Sequence, residues 1–417
     1  MYQEKAFELH THLYGCLNED DLRWLASRKQ PRWHIFEQSY RSAYNASPNL
    51  ENIFAPERRS DLRKLSIYES VGNFPEFQCC FDFVISVAHA DPEEVHEVAS
   101  RLSKRQVEPH AEYRMLFGPQ IEMDDYLNRV QSICEGFEST GKESYLAMSL
   151  WRGGDLAWKQ YRALRELMQK STAVARRLVA VDFCAAEEGF PPVAKESLFQ
   201  EILENNALAP ETALAILYHV GESFQDKTLE SAARWVYQSA AQGAHRLGHA
   251  IALGQEPAEF RNDVRHESIS ERLDQLQFEL DTGLTISLPD SKYAEEMERL
   301  DAMQHADPDA TVAVEYTDAH IAKVRYFQDS LMDRIAKTNA VIEVCPTSNY
   351  RIAAVRQHPV HRFVSRGLPI IVGADDPGIF DTNLEKEFEI LKKEGLSVDE
   401  LIEQSRRSSS ARLSGRE

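Results

Sequence analysis

The alternation of eight short apolar runs with helix-period stretches is the strongest constraint on this chain. The runs are Phe7-Glu8-Leu9-His10 and residues 110–116, 145–150, 178–183, 214–218, 245–251, 340–344 and 368–372. Helical patterns, such as 155–171 and 227–241, sit between many of them. Strand–helix alternation predicts a parallel sheet with helices outside. Eight such strands predict an α/β fold of the (β/α)8 TIM-barrel type, which can hold 417 residues as one domain. We read 1–405 as that barrel domain. Residues 406–417, with Arg406, Arg416 and the serines Ser408, Ser409 and Ser410, are expected to be a flexible tail. Two long stretches, about 18–109 and 252–339, are expected to be helical insertions over the catalytic face. Asn18 is placed to cap a helix, with Glu19, Asp20 and Asp21 in its first turn.

Four polar motifs follow apolar runs: His10-Thr-His12, His219-Val-Gly-Glu222, Gly248-His249 and Asp375-Asp376-Pro377. Barrel sites form where strands end in loops, so these positions converge. His10 and His12 are two apart on a strand end, which turns both to one side at roughly 7 Å. Alone this pair says little, since a chain with 14 histidines gives an H-x-H by chance roughly half the time. Gly221 lets the chain turn and bring the Glu222 carboxyl back beside His219. Taken alone, Glu222 also fits a solvated loop acid. The glycine before His249 predicts close approach of another group, although a packed, satisfied histidine fits there too. Asp375 and Asp376 follow the apolar Pro369-Ile-Ile-Val372, where two acids are costly unless paired or bound to a cation. Neighbouring side chains point apart, so one can ligate while the other faces a substrate; a helix-capping pair is the alternative. Together the motifs supply the imidazole and carboxylate ligands, and the free acid, of a water-activating metal site.

Other classes fit poorly. The formal net charge of -20 argues against nucleic acid as a partner. No apolar run approaches the roughly 20 residues that span a bilayer, so no membrane association is expected. The chain opens into a strand-like run rather than a signal-peptide pattern, which makes cytoplasmic the expected location. The cysteines, Cys16, Cys79, Cys80, Cys134, Cys184 and Cys345, form no C-x-x-C pair and suit a reduced compartment. His110-Ala-Glu112 has the H-x-E form of another zinc-deaminase site, but the P-C-x-x-C segment that site needs is missing. Cys345 reads as part of a strand-to-turn element rather than as a nucleophile.

In order along the chain, the motifs resemble the adenosine deaminase family of metal-dependent hydrolases. The matching pieces are His10-Thr-His-Leu-Tyr-Gly15, His219-Val-Gly-Glu222, Arg246-Leu-Gly-His249, Glu343-Val-Cys-Pro-Thr-Ser348 and Asp375-Asp-Pro377, with Glu112-Tyr-Arg114 and Val179-Ala-Val-Asp182 between them. The resemblance implies one divalent metal, usually Zn2+, held by His10, His12, His219 and Asp375. It implies a small-molecule aminopurine substrate, whose amine-bearing carbon is attacked by metal-activated water with loss of ammonia. Glu222 would be protonated and donate to the ring nitrogen. His249 would orient the attacking oxygen, and Asp376 would accept a hydrogen bond from the imidazole side of the purine.

Three departures bear on the substrate. The family usually has an Asp where this chain has Tyr14, and a Gly where it has Ala185 in Phe183-Cys-Ala-Ala-Glu187. Residues 252–339 also exceed the usual connection, leaving room for an oligomerising role. These departures predict a nucleoside altered at its 5′ end, or something bulkier. The alternatives are a related barrel hydrolase acting on a non-purine substrate and a non-catalytic binding or scaffold member.

Overall fold

The computed structural model describes residues 1–72, 74–352 and 355–416. Eight parallel strands form one sheet: β1 (Glu8–His12), β2 (Ala111–Leu116), β3 (Ser144–Ser149), β4 (Leu178–Asp182), β5 (Ala215–Val220), β6 (Arg246–His249), β9 (Val341–Val344) and β10 (Ile370–Val372). They pair in that order. A parallel bridge between Thr11 and Asp375 brings the first strand beside the end of the last. Two backbone bonds fix it: Asp375 N to His10 O at 2.8 Å and His12 N to Asp375 O at 2.9 Å. The result is a (β/α)8 barrel. Strands buried on both faces read as apolar runs, and every residue of β4 and β5 is buried. Asn18 caps the helix Glu19–Arg28 in a capping box with Asp21.

The inside of this barrel carries charge as well as the usual branched apolar side chains. Arg246 reaches Glu112 at 2.7 Å and Glu343 at 2.8 Å, and Arg114 reaches Glu343 at 2.6 Å, all four side chains being fully buried. Burial alone would raise the Glu112 carboxyl; Arg246, His110 and Ser410 outweigh it and hold the group at about 2. His110, 3.2 Å from Glu112, belongs to this barrel floor, which explains the H-x-E pattern without a metal.

The expected flexible tail is instead an anchored segment up to Arg416, Glu417 lying outside the described residues. Ser408 and Ser410 are fully buried. The Ser410 backbone N–H donates to Glu112 at 2.6 Å, its hydroxyl donates to the same carboxylate, and the Ser408 carbonyl accepts from Arg246 at 3.0 Å. Arg416 donates to the carbonyls of Ala175 and Leu178 at 2.9 and 2.8 Å. Serines are small enough to enter the barrel floor and polar enough to satisfy its charges, which is why a sequence resembling a frayed end is held in place.

The second insertion is not helical throughout. β7 (Val264–Ser268) and β8 (Thr311–Glu315) form an antiparallel pair flanking the helices Ile269–Thr282 and Tyr293–Ala306. The unit stands against the helix Leu229–Ala241 that follows β5. Phe278 meets Tyr237 at 5.7 Å and Phe327 at 6.0 Å between ring centroids. Thr228 caps that helix by accepting from Ser231 N, and Glu267 steadies the cap, accepting from Thr228 N at 3.2 Å and Ser231 Oγ at 2.8 Å. Among the described residues, no helix is long and apolar enough to cross a membrane.

Candidate metal centre and active site

The site gathers at the C-terminal ends of the strands. β1 turns His10 and His12 to one side, with ring centroids 5.8 Å apart. The bridge to Thr11 sets Asp375 beside them: its Oδ1 is 3.3 Å from His12 Nε2 and 3.6 Å from His10 Nε2. Two ligand atoms on a tetrahedral metal at about 2.0–2.2 Å stand roughly 3.3–3.6 Å apart, so this spacing suits one ion. His219, at the end of β5, places its ring 4.9 Å from His10 and 5.4 Å from His12. A side chain at Gly248 would have its Cβ 3.2 Å from His219 Cγ and 3.3 Å from His10 Cε1, so the glycine admits both rings. Imidazole and carboxylate ligands suit zinc among the divalent metals. Cys345 also has its sulfur within 4.8 Å of ligand atoms of His249 and Asp375, and burial pushes its thiol well above the ordinary range.

Buried partners hold these candidate ligands. Asp182 Oδ1 is 3.1 Å from His219 Nδ1, and Glu343 Oε2 is 2.8 Å from His10 Nδ1. Each carboxylate leaves the other ring nitrogen for a metal. Arg114 ties the two together, bonding Glu343 and lying 3.6 Å from Asp182. Burial lowers His219 to about 4, so the ring is neutral and able to ligate near neutral pH. Burial would raise Asp375, but hydrogen bonds with His10 and His12 hold it well below the carboxylate range.

Glu222 and Asp376 behave oppositely. Burial, reinforced by Asp375 and Glu187, pushes the Glu222 carboxyl well above its ordinary value. Burial and Asp375 do the same to Asp376. Among the described residues, Glu222 Oε1 and Asp376 Oδ1 are buried without a hydrogen-bond partner. Two such atoms are costly unless a ligand meets them. A Cβ at Gly15 would fall 1.8 Å from Asp376 Oδ1, so only glycine lets this carboxyl stand there. Asp376 was expected to accept from the imidazole side of a purine; a carboxyl held protonated would instead donate, and N7 of a 9-substituted purine, with a lone pair and no proton, can only accept. His249 Nε2 is 3.4 Å from Glu222 Oε2. The loop bearing Glu222 is held from both sides. Glu187 accepts the backbone N–H groups of Gly221, Glu222 and Ser223 at 2.6, 2.9 and 3.1 Å. Arg265, from the second insertion, donates to the carbonyl of Lys227 at 2.8 Å and to that of Phe224.

These groups open into a cavity of about 360 Å³. Ala185 lines it with φ +66°, a conformation that costs an alanine what a glycine would not pay. Tyr14 also lines it, but presents its ring: its hydroxyl donates to Glu94 at 3.0 Å. It is therefore not placed to bind a polar 5′ group directly. The far wall was not read from the sequence. Phe74, Phe77, Gln78, Phe81, Asp82 and Ile85 form one face of the helix Phe74–Val87 in the first insertion. Their spacing of three, one, three, one and three is the helical signal that identifies such a face. No described residue of 252–339 lines the cavity. Asp182, Glu187, Arg114 and Glu343 were likewise not singled out as site residues, because no local pattern shows that they meet in space.

A (β/α)8 barrel with three histidines and an aspartate at its strand ends has the architecture of the metal-dependent hydrolases. The chain belongs to the adenosine deaminase family, whose profile matches residues 6–411. It is 43% identical over 70 residues to the aminodeoxyfutalosine deaminase of Acidothermus cellulolyticus, an alignment covering 16% of this chain and 20% of that protein. Alignments with such relatives span a fifth of their length or less. It is 24% identical to the adenosine deaminase of Streptococcus mutans over 332 residues, 78% of this chain and 84% of the relative. The solved structure of an adenine deaminase from Arthrobacter aurescens shares the fold, with TM-score 0.53 and 20% identity over 98% of this chain and 96% of the other.

Proposed function

We propose that this protein is a metal-dependent hydrolytic deaminase of an aminopurine nucleoside whose 5′ end carries an apolar group rather than a phosphate. The reaction consumes water, replaces the exocyclic amine by oxygen and releases ammonia. The observation that carries the reading is the pair of buried carboxyls, Glu222 and Asp376, each with an oxygen that no described residue partners beside the candidate ligand cluster, and each pushed by burial well above its ordinary range. When bound by His10, His12, His219 and Asp375, a divalent metal, zinc by its donor set, would make water nucleophilic near neutral pH. Glu222 donates its proton to the ring nitrogen next to the amine-bearing carbon, which makes that carbon more electrophilic. Asp376 donates to N7 and fixes the ring plane. His249 stands beside Glu222 at the reacting position and hydrogen-bonds the developing charge.

The cavity wall supports the substrate class. Phe74, Phe77, Phe81, Ile85, Leu116 and Ile352 make it apolar. Among the described lining residues Arg114 supplies the sole Arg or Lys, and it is spent on buried Glu343 and Asp182. A phosphate there would face Asp82 and Glu188 without a cation. The test is an ammonia-release screen over aminopurine bases, nucleosides, 5′-alkylated or 5′-arylated nucleosides and nucleotides, with metal content measured on the purified protein. Nucleosides with apolar 5′ groups should exceed plain adenosine and 5′-phosphates in kcat/KM. Glu222→Gln should lower kcat by about 10²–10⁴. Full activity in Glu222→Gln would refute the mechanism, and a preference for nucleotides would refute the substrate class.

A further inference from the structure

A neutral histidine carries its proton on one ring nitrogen, and the partner of the other decides which. The His249 ring has the open side of the site at Nε2, where Glu222 stands, and a buried side at Nδ1. On that buried side, 3.0 Å away, is Nδ2 of Asn349, itself fully buried. Which end of the Asn349 amide faces His249 is fixed by what meets the other end. Its Oδ1 lies 3.1 Å from the backbone N–H of Cys345 and 3.0 Å from Nε2 of buried His358. His358 Nδ1 in turn lies 3.1 Å from the backbone N–H of Val360.

Backbone N–H groups only donate, so two of them set the direction of the whole chain. Val360 N–H donates to His358 Nδ1, which leaves the His358 proton on Nε2. That proton and the Cys345 N–H both go to Asn349 Oδ1. A flipped amide would set its NH2 against two donors in a buried place, leaving all of them unsatisfied. Asn349 therefore donates through Nδ2, and His249 Nδ1 must accept. The His249 proton is left on Nε2, on the side of Glu222 and the cavity.

We propose that Asn349, locked by Cys345 and His358, is a positioning residue that fixes His249 as the Nε2–H tautomer, a donor to the oxygen that adds to the substrate. The catalytic consequence rests on the deaminase reading above, whereas the tautomer does not. His249 without this lock could turn a lone pair towards the nucleophile and would then repel rather than steady it. Asn349→Asp tests the point. A carboxylate only accepts, so it favours a proton on Nδ1 and inverts the tautomer at nearly constant shape.

The experiment is ¹⁵N spectroscopy of the histidine rings in the full chain, with His249 assigned by its loss in His249→Gln. In the unaltered protein Nε2 should be the protonated nitrogen and Nδ1 the bare one. Protonated Nδ1 overturns the proposal, whether or not any variant folds. In Asn349→Asp the two should exchange, and kcat should fall by about 10²-fold or more with KM little changed, as wrong-tautomer histidines do elsewhere. Asn349→Ala, which adds no charge, should populate both tautomers and lose less activity. An inverted tautomer with kcat unchanged overturns the positioning role. A protein with Nε2–H on His249 that releases no ammonia from any aminopurine refutes the deaminase reading and upholds the tautomer.

Discussion

Ending the chain after Arg407 removes the segment that closes the barrel floor, and the structure gives the size of the loss. Glu112 sits there fully buried, held at about 2 against an ordinary 4.5 by Arg246, His110 and Ser410 acting against burial. Converted by linkage, that shift means its partners favour the ionised carboxylate by roughly 3 kcal/mol in the native state. Ser410 supplies two of those donors, and Ser408 supplies an acceptor for Arg246. Without them a buried carboxylate and guanidinium are each left short of a partner, a situation that costs about 3–5 kcal/mol. This is a large share of a typical stability of about 5–15 kcal/mol. The assay is urea unfolding of the full chain, the 407-residue chain and Ser410→Ala, followed by circular dichroism. Truncation should lower stability by about 3–5 kcal/mol, and Ser410→Ala by about 1.5–3 kcal/mol. The depressed carboxyl also fixes the pH dependence. Its contribution is fully present above the unfolded value near 4.5 and disappears as pH falls through about 2. The Ser410→Ala deficit should therefore shrink over that window. Equal urea midpoints for the full and truncated chains at neutral pH would refute the reasoning.

Two further outcomes follow from the loops around the cavity. Ala185→Gly should raise stability by about 1 kcal/mol, because it relieves a left-handed alanine, and should widen substrate tolerance; thermal unfolding and the substrate screen check both. Arg265→Ala should free the loop 221–228, seen as faster hydrogen exchange there, and lower kcat about tenfold by loosening Glu222; unchanged exchange would show that Glu187 alone holds it.

The barrel, and the motifs that it gathers at its strand ends, were legible because each is local. A strand buried on both faces is a run of apolar residues, and the residue that leaves the run into a loop is the one that reaches the site. His10, His12, His219 and Asp375 sit at such exits. Glu343, Arg114 and Asp182 were not legible as a group. Each is a charged residue in or at the end of a largely apolar strand, and only barrel closure shows that they neutralise one another. Asn349 is similar, since its role depends on backbone amides at Cys345 and Val360. The tail misled because serine and arginine have the composition of a free end, while the acceptors that hold them lie on β2, just before β4 and at the first residue of β4. The β7–β8 pair was missed because two helices separate its strands, leaving no hairpin signal. The aromatic face of Phe74–Val87 was within reach, since its spacing is helical, but the loss of polarity on that face looks the same for a packed core.

Barrel closure also sets an order of events. Thr11 meets Asp375 across 364 residues of chain. At about 5–20 residues per second, a ribosome needs roughly 20–70 s to make that stretch. Throughout this time His10 and His12 exist without Asp375, and β1 has one free edge. No early fragment holds all four of these side chains, so a metal bound by them as proposed above would be captured by a nearly finished barrel. Until closure the strand edges stay unpaired, so a chain that stops midway would offer an adhesive sheet rather than a partial enzyme.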